Sequence, residues 1–272
     1  MYVRMKEVLD FLFRLTIKEM NSMSEKDQYT LAKQIISRML EVFEANPDKY
    51  IGILLCEGTE TSVDCKLYQA VYPLVLVIPV GGWSDVKRLH AIIKKKLKNC
   101  YPIYGMIDRD SRSKGEIKKL KATGIYCTKL PFIENVISCP EIVTLLAEEK
   151  GFDPTSSVNE IQKSLMHVLS QKLRDALPIN IPIGEQEPLT SITIKIQKNN
   201  GVVIEKTVDE ANIMYAYRDK AVANEAADVL RIVGRKNYYQ FFIKCLDDEV
   251  LGPKLVKCAA KFLPIIELPD ED

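Results

Sequence analysis

The chain has 272 residues, of which 47% are hydrophobic and 28% charged. At about 150 residues per domain this supplies the core of one large domain or two modest ones, and it excludes a disordered tail, a collagen and a disulfide miniprotein. Lys and Arg number 38 against 37 Asp and Glu, a net charge of +1, so bulk charge cannot bind nucleic acid and any such contact must be local.

Seven cysteines stand at 56, 65, 100, 127, 139, 245 and 258, an odd number with no C-x-x-C, beside only two histidines. That pattern argues against a structural zinc site and for reduced, mostly buried thiols in a cytoplasmic protein. The first twenty residues are charged at Arg4, Lys6, Glu7, Asp10, Arg14, Lys18 and Glu19, which does not fit a signal peptide. The longest uncharged stretch, 67–84, contains Pro73, Pro79, Gly81 and Gly82, so no membrane-spanning helix is expected.

Residues 1–48 read as an N-terminal helical segment, with apolar residues at near-helical spacing and a stop at Asn46-Pro47-Asp48. Residues 49–137 alternate short apolar runs with helical stretches. Strands are predicted at 51–56, 74–78, 103–107 and 125–128, and helices at 59–71, 84–97 and 113–122. Strands and helices in this order imply a parallel sheet covered on both faces. Residues 138–272 read as a mostly helical region. Ser138-Cys139-Pro140-Glu141 resembles a capping box opening a helix to about 149, with further helices at 157–173, 211–230, 238–246 and 252–262. The segment 179–188 reads as a linker, and 191–206 as a β-hairpin turning at Asn199-Asn200-Gly201. The tail 267–272 is acidic.

Ligands of open parallel sheets sit beyond the carboxyl ends of the strands. Here the first strand ends in Glu57, the second in Gly81-Gly82, and the third in Asp108 and Asp110. If the backbone stays extended, Asp108 and Asp110 share one face. Two carboxylates there, with Glu57 from a neighbouring strand, would repel unless a cation sat between them. Hard oxygen donors select Mg²⁺ or Mn²⁺, ions that handle phosphates. Each acid also has a plainer role: Glu57 as a polar strand end, Asp110 as a turn or cap residue. Between Asp85 and Lys121 there are twelve Lys and Arg against four Asp and Glu. Among these, Arg109, Arg112, Lys114 and Lys118 are candidate nucleic-acid contacts, although Lys94–Lys98 also suits the solvated end of a helix.

The stretches Ile53-Leu54-Leu55-Cys56-Glu57-Gly58-Thr59-Glu60, Ile107-Asp108-Arg109-Asp110 and Leu130-Pro131-Phe132-Ile133-Glu134-Asn135 together resemble TOPRIM-domain nucleases of the OLD-like branch, in particular the stand-alone nucleases encoded beside ABC-type ATPases in antiphage systems. The resemblance implies a TOPRIM-like α/β core. It implies metal ligation by Glu57, Glu60 (one helical turn on), Asp108, Asp110 and Glu134. It gives catalytic roles to Glu57, Asp108 and Asp110, and to a basic residue first sought at Lys220, then at Arg235 or Lys236. The implied cofactor is Mg²⁺, with Mn²⁺ substituting. The implied partners are nucleic acid (DNA or a structured RNA such as tRNA), a separate ABC-type ATPase and a second copy of the chain, with no membrane. The chain has no G-x-x-x-x-G-K-[ST] loop, so any ATPase is separate. A non-catalytic metal- and nucleic-acid-binding partner module of such an ATPase is the alternative. A phosphatase with Asp108 as nucleophile fits less well, because that D-x-D opens its domain and this one follows two strands.

Overall fold

Five-residue apolar runs are too short to bury themselves as helices and are stabilised by pairing side by side. The computed structural model describes residues 49–96, 102–176, 191–197, 203–217 and 220–266. The expected N-terminal helices, the 179–188 linker, the Asn199-Asn200-Gly201 turn and the acidic tail lie outside them. The chain divides into two compact units: Met1–Asp108 with Arg112–Thr128 and Leu263–Asp272, and Arg109–Ser111 with Lys129–Phe262.

In the first unit β1 (Gly52–Cys56), β2 (Val75–Pro79), β3 (Ile103–Ile107) and β4 (Ile125–Cys127) form one sheet in the order β2-β1-β3-β4. All neighbours are parallel, with Cys56 level with Pro79 on one side and Met106 on the other. The expected α/β architecture is therefore present. Helices α1 (Val63–Val71), α2 (Trp83–Lys96) and α3 (Lys114–Thr123) connect the strands.

Alternate strand residues Ile53, Leu55, Leu76, Ile78, Ile103, Ile107 and Ile125 form one core with Val86, Leu89 and Ile93 of α2 and Ile117 and Leu120 of α3. Gly105 falls in this pattern because there is no room for more: a Cβ there would lie 3.1 Å from both Ile125 Cγ1 and Val86 Cγ1. The intervening residues Leu54, Cys56, Val75, Val77 and Met106 are also buried, as are Val63, Leu67 and Tyr68 of α1.

One helix start in this unit differs from the sequence reading. Helix α1 begins at Val63, four residues later than expected. Ser62 is its N-cap, accepting from Cys65 N–H at 3.4 Å and donating to Thr59 O at 2.8 Å. Helix α3 opens with a capping box between Ser113 and Glu116 and ends on Gly124 at φ +97.

The second unit is mostly helical: α4 (Ile133–Ile137), α5 (Pro140–Glu149), α6 (Pro154–Ala176), α7 (Ile213–Ala216), α8 (Ala221–Val229), α9 (Arg235–Leu246) and α10 (Leu251–Ala260). It also contains β5 (Ser191–Gln197) and β6 (Val203–Asp209), paired antiparallel from Ser191↔Asp209 to Gln197↔Val203. Ser138 is not the cap of α5. It terminates α4, donating its N–H to Glu134 O at 3.1 Å, and Cys139 takes the N-cap position ahead of Pro140.

The expected helix 211–230 is broken. Asn135, fully buried, donates through Nδ2 to Met214 O and Tyr217 O, both at 2.9 Å, while its Oδ1 accepts from Phe132 N–H at 3.2 Å. A continuous helix would have used those two carbonyls itself, and Tyr217 instead adopts an extended conformation. No helix among the described residues is long and apolar enough to cross a membrane.

His90 is buried on α2, with Nε2 3.1 Å from Ile103 O. Burial, assisted by nearby Lys94, lowers its pKa from the usual 6.5, against the opposing effect of the Ile103 bond. A depressed folded-state pKa contributes stability that is present above the unfolded value and lost as pH falls through the folded one. Thermal unfolding should therefore show a stability loss on acidification below about pH 6.5, and His90→Gln should flatten that slope. An unchanged slope would assign the acid sensitivity to other groups.

Candidate functional site

Parallel register brings the ends of β1, β2 and β3 to one edge of the first unit. Just beyond it Gly58 and Gly81 form an antiparallel bridge, with Gly58 N–H donating to Gly81 O at 2.7 Å and Gly81 N–H returning to Gly58 O at 3.2 Å. Val80 N–H donates to Cys56 O at 2.9 Å. Both glycines have positive φ, +96 and +101. A Cβ on Gly58 would overlap Ser62 Oγ, and one on Gly81 would lie 2.9 Å from Asp85 Oδ2. These are positions where only glycine fits without strain. The bridge fixes the backbone on either side of Glu57.

Glu57 and Asp108 meet at this edge. Asp108 N–H donates to Glu57 Oε1 at 3.1 Å across a sequence separation of 51 residues. The loop after Asp108 is braced by Arg112, whose Nη1 donates to Asp108 O at 2.6 Å. Below the acids, the Cys56 thiol is pushed up by its hydrogen bond with the Cys65 thiol and by burial, with Asp64 and Glu57 adding charge repulsion. Fully buried Tyr68 is likewise raised, first by burial and then by Asp64 and Asp108. Asp64, on the first turn of α1, therefore belongs to the same acidic surroundings. None of the six described cysteines is in a disulfide.

Glu60 and Asp110 sit differently from the sequence reading. Glu60 is exposed in the turn ahead of α1, so it is not one helical turn on from Glu57. Asp110 is not on extended backbone: β3 ends at Ile107 and Asp110 has φ +47. The same-face rule for residues two apart does not apply there, and turn geometry sets its direction. Asp110 N–H donates to Pro131 O at 2.9 Å, and Arg109 Nη1 donates to Lys129 O at 2.8 Å. Both residues fall in the second unit. Lys114 and Lys118 are exposed on α3.

In the second unit Glu134 is a buried carboxylate, 4% exposed. Its Oε1 accepts from Tyr239 OH at 2.9 Å and lies 3.6 Å from Lys220 Nζ, whose side chain is largely exposed. The Arg235 guanidinium lies 5.9 Å from the Tyr239 ring centroid; Lys236 is exposed. The resemblance gave Glu134 and Lys220 separate roles, and the structure makes them an ion pair. Tyr239 escaped the sequence reading, since a tyrosine on an amphipathic helix gives no signal of its partner.

Among the described residues no group of three or more Asp, Glu, His or Cys side chains is arranged to hold a metal ion. Mg²⁺ is commonly bound through one or two carboxylates together with substrate phosphates, and at this edge Glu57 and Asp108 are the residues that could offer them. No family model matches the chain, and no curated protein matches it.

Two outcomes follow. Gly58→Ala should lower stability by about 1–3 kcal/mol through backbone strain, whereas Gly115→Ala, on an uncrowded helical position of α3, should raise it slightly; denaturant unfolding separates them. Tyr239→Phe leaves buried Glu134 with one donor fewer and should cost about 2 kcal/mol in the same assay.

Proposed function

We propose that this protein is a Mg²⁺-dependent nuclease of the TOPRIM kind, with DNA or a structured RNA such as tRNA as substrate. By its resemblance to AriB of the PARIS system, it would be the toxic effector of an antiphage defence, acting in the cytoplasm and controlled by a separate ABC-type ATPase. The observation that carries this reading is the hydrogen bond from the Asp108 amide to the Glu57 carboxylate. It brings the two strand-end residues that the resemblance singles out into contact, at the edge where parallel sheets bind ligands.

Bound Mg²⁺ supplies charge for the phosphoryl oxygens and lowers the pKa of water. The chain's own residues do the positioning. The Asp108 amide orients the Glu57 carboxylate to ligate the ion or to accept a proton from the attacking water. The Gly58–Gly81 bridge holds Glu57 in place with little reorganisation on substrate binding. Arg112 fixes the Asp108 loop. Lys114 and Lys118 supply positive charge for the phosphate backbone. By the resemblance alone, Lys220 would offset transition-state charge and Glu134 would serve as a further acid.

The second reading is a non-catalytic metal- and nucleic-acid-binding module of an ATPase partner. Cleavage assays decide between them. Under the nuclease reading, Glu57→Gln and Asp108→Asn each reduce Mg²⁺-dependent cleavage at least about 100-fold with unchanged thermal unfolding, and EDTA abolishes it. Binding of Mn²⁺ by calorimetry with no cleavage of any nucleic acid, partner ATPase included, would establish the module instead.

A further inference from the structure

Trp83 is the chain's one tryptophan and the first residue of α2, just beyond Gly81-Gly82. It is 49% exposed. The Arg112 guanidinium carbon lies 5.3 Å from the centroid of its ring, and the same guanidinium donates to Asp108 O. Ring, cation and the Asp108 backbone are thus linked in series within the first unit.

The start of α2 holds the ring's backbone firmly. Gly82 N–H donates to Asp85 Oδ2 at 3.1 Å, and the Asp85 and Val86 amides return to Gly82 O at 2.9 and 3.1 Å. Asp85 is in turn paired with Arg88 at 3.1 Å.

A half-exposed indole can belong to an apolar docking patch for a protein. The described residues do not supply one here. Among the described residues the unit's other exposed large apolar side chains are Leu74 and Ile265. Leu74 precedes β2, at the strand end opposite Trp83. Ile265 follows Pro264, whose carbonyl accepts from Tyr72 OH, and Tyr72 O accepts from Val75 N–H at that same opposite end. Trp83 stands instead against a cation, the Arg112 guanidinium, and Lys114 follows two residues on at the start of α3. A flat aromatic surface with a cation on it matches an unpaired nucleobase, whose π-face stacks while its phosphate meets the charge.

We infer that Trp83, held by Arg112, is a stacking platform for one unpaired nucleobase, so that single-stranded nucleic acid is the ligand class of this edge. This rests on the nuclease reading and deepens it, since it selects loops, ends or melted segments over uniform duplex.

The single tryptophan makes the test direct. The full-length chain is titrated in EDTA, where binding is read without metal-dependent cleavage, with short oligothymidylate, oligouridylate and a blunt duplex of equal length. Single strands should quench the intrinsic tryptophan emission and the duplex should quench it little. By anisotropy of labelled strands, Trp83→Ala should weaken binding about tenfold. Trp83→Phe, which keeps a ring, should retain most of the affinity and guards against an effect of misfolding. Equal quenching by duplex, unchanged affinity in Trp83→Ala, or no binding of single strands overturns the inference. Cleavage that depends on Glu57 but not on Trp83 would leave the nuclease reading standing without the platform. Quenching without any cleavage would leave the platform standing without the nuclease.

Discussion

The arrangement of the candidate site depends on one hydrogen bond, from the Asp108 amide to the Glu57 carboxylate. It forms because β1 and β3 are adjacent and parallel, with Cys56 level with Met106. Residues just past each strand then emerge at the same height. A shift of one residue in that register would point every side chain of one strand to the other face of the sheet, removing Ile53 and Leu55 from the core they share with Ile103 and Ile107. The apolar core thus fixes the position of two polar groups that take no part in it.

The glycine bridge is the second constraint at this edge. Gly58 and Gly81 exchange both backbone hydrogen bonds while holding positive φ angles. The strands themselves stop at Cys56 and Pro79, so the bridge joins the two connecting loops beyond the sheet. That limits the movement of Glu57 on one side and of the Trp83 helix start on the other. Rigid placement matters for any chemistry at phosphate, where misplacement by about 1 Å costs orders of magnitude in rate.

In the second unit a buried polar network does comparable work. Asn135 satisfies two carbonyls that interrupt a helix, Tyr238 OH donates to Ile137 O at 2.7 Å, and Tyr239 and Lys220 meet Glu134. Each buried carbonyl left without a donor would cost about 1–3 kcal/mol. The chain break at Tyr217 is therefore stable only because Asn135 supplies the amide.

What the sequence determined by itself is the sheet, its parallel order of strand and helix, and the acids that end two strands, because these follow from local periodicity and apolar runs. The placement of Glu57 and Asp108 at strand ends was legible for the same reason. Features set by contacts distant in sequence were decided by tertiary structure. Helix 211–230 has helical periodicity throughout, and a side chain some 80 residues earlier splits it. Glu60 has helical spacing from Glu57, yet the Ser62 cap starts the helix after it. Asp110 has strand spacing from Asp108, yet a left-handed turn redirects it. The pairing of Glu134 with Tyr239 and Lys220, and of Trp83 with Arg112, likewise appeared only in three dimensions. Periodicity records which face of an element is buried; the partner that a polar side chain meets depends on how the elements pack, and that information is spread over the whole chain.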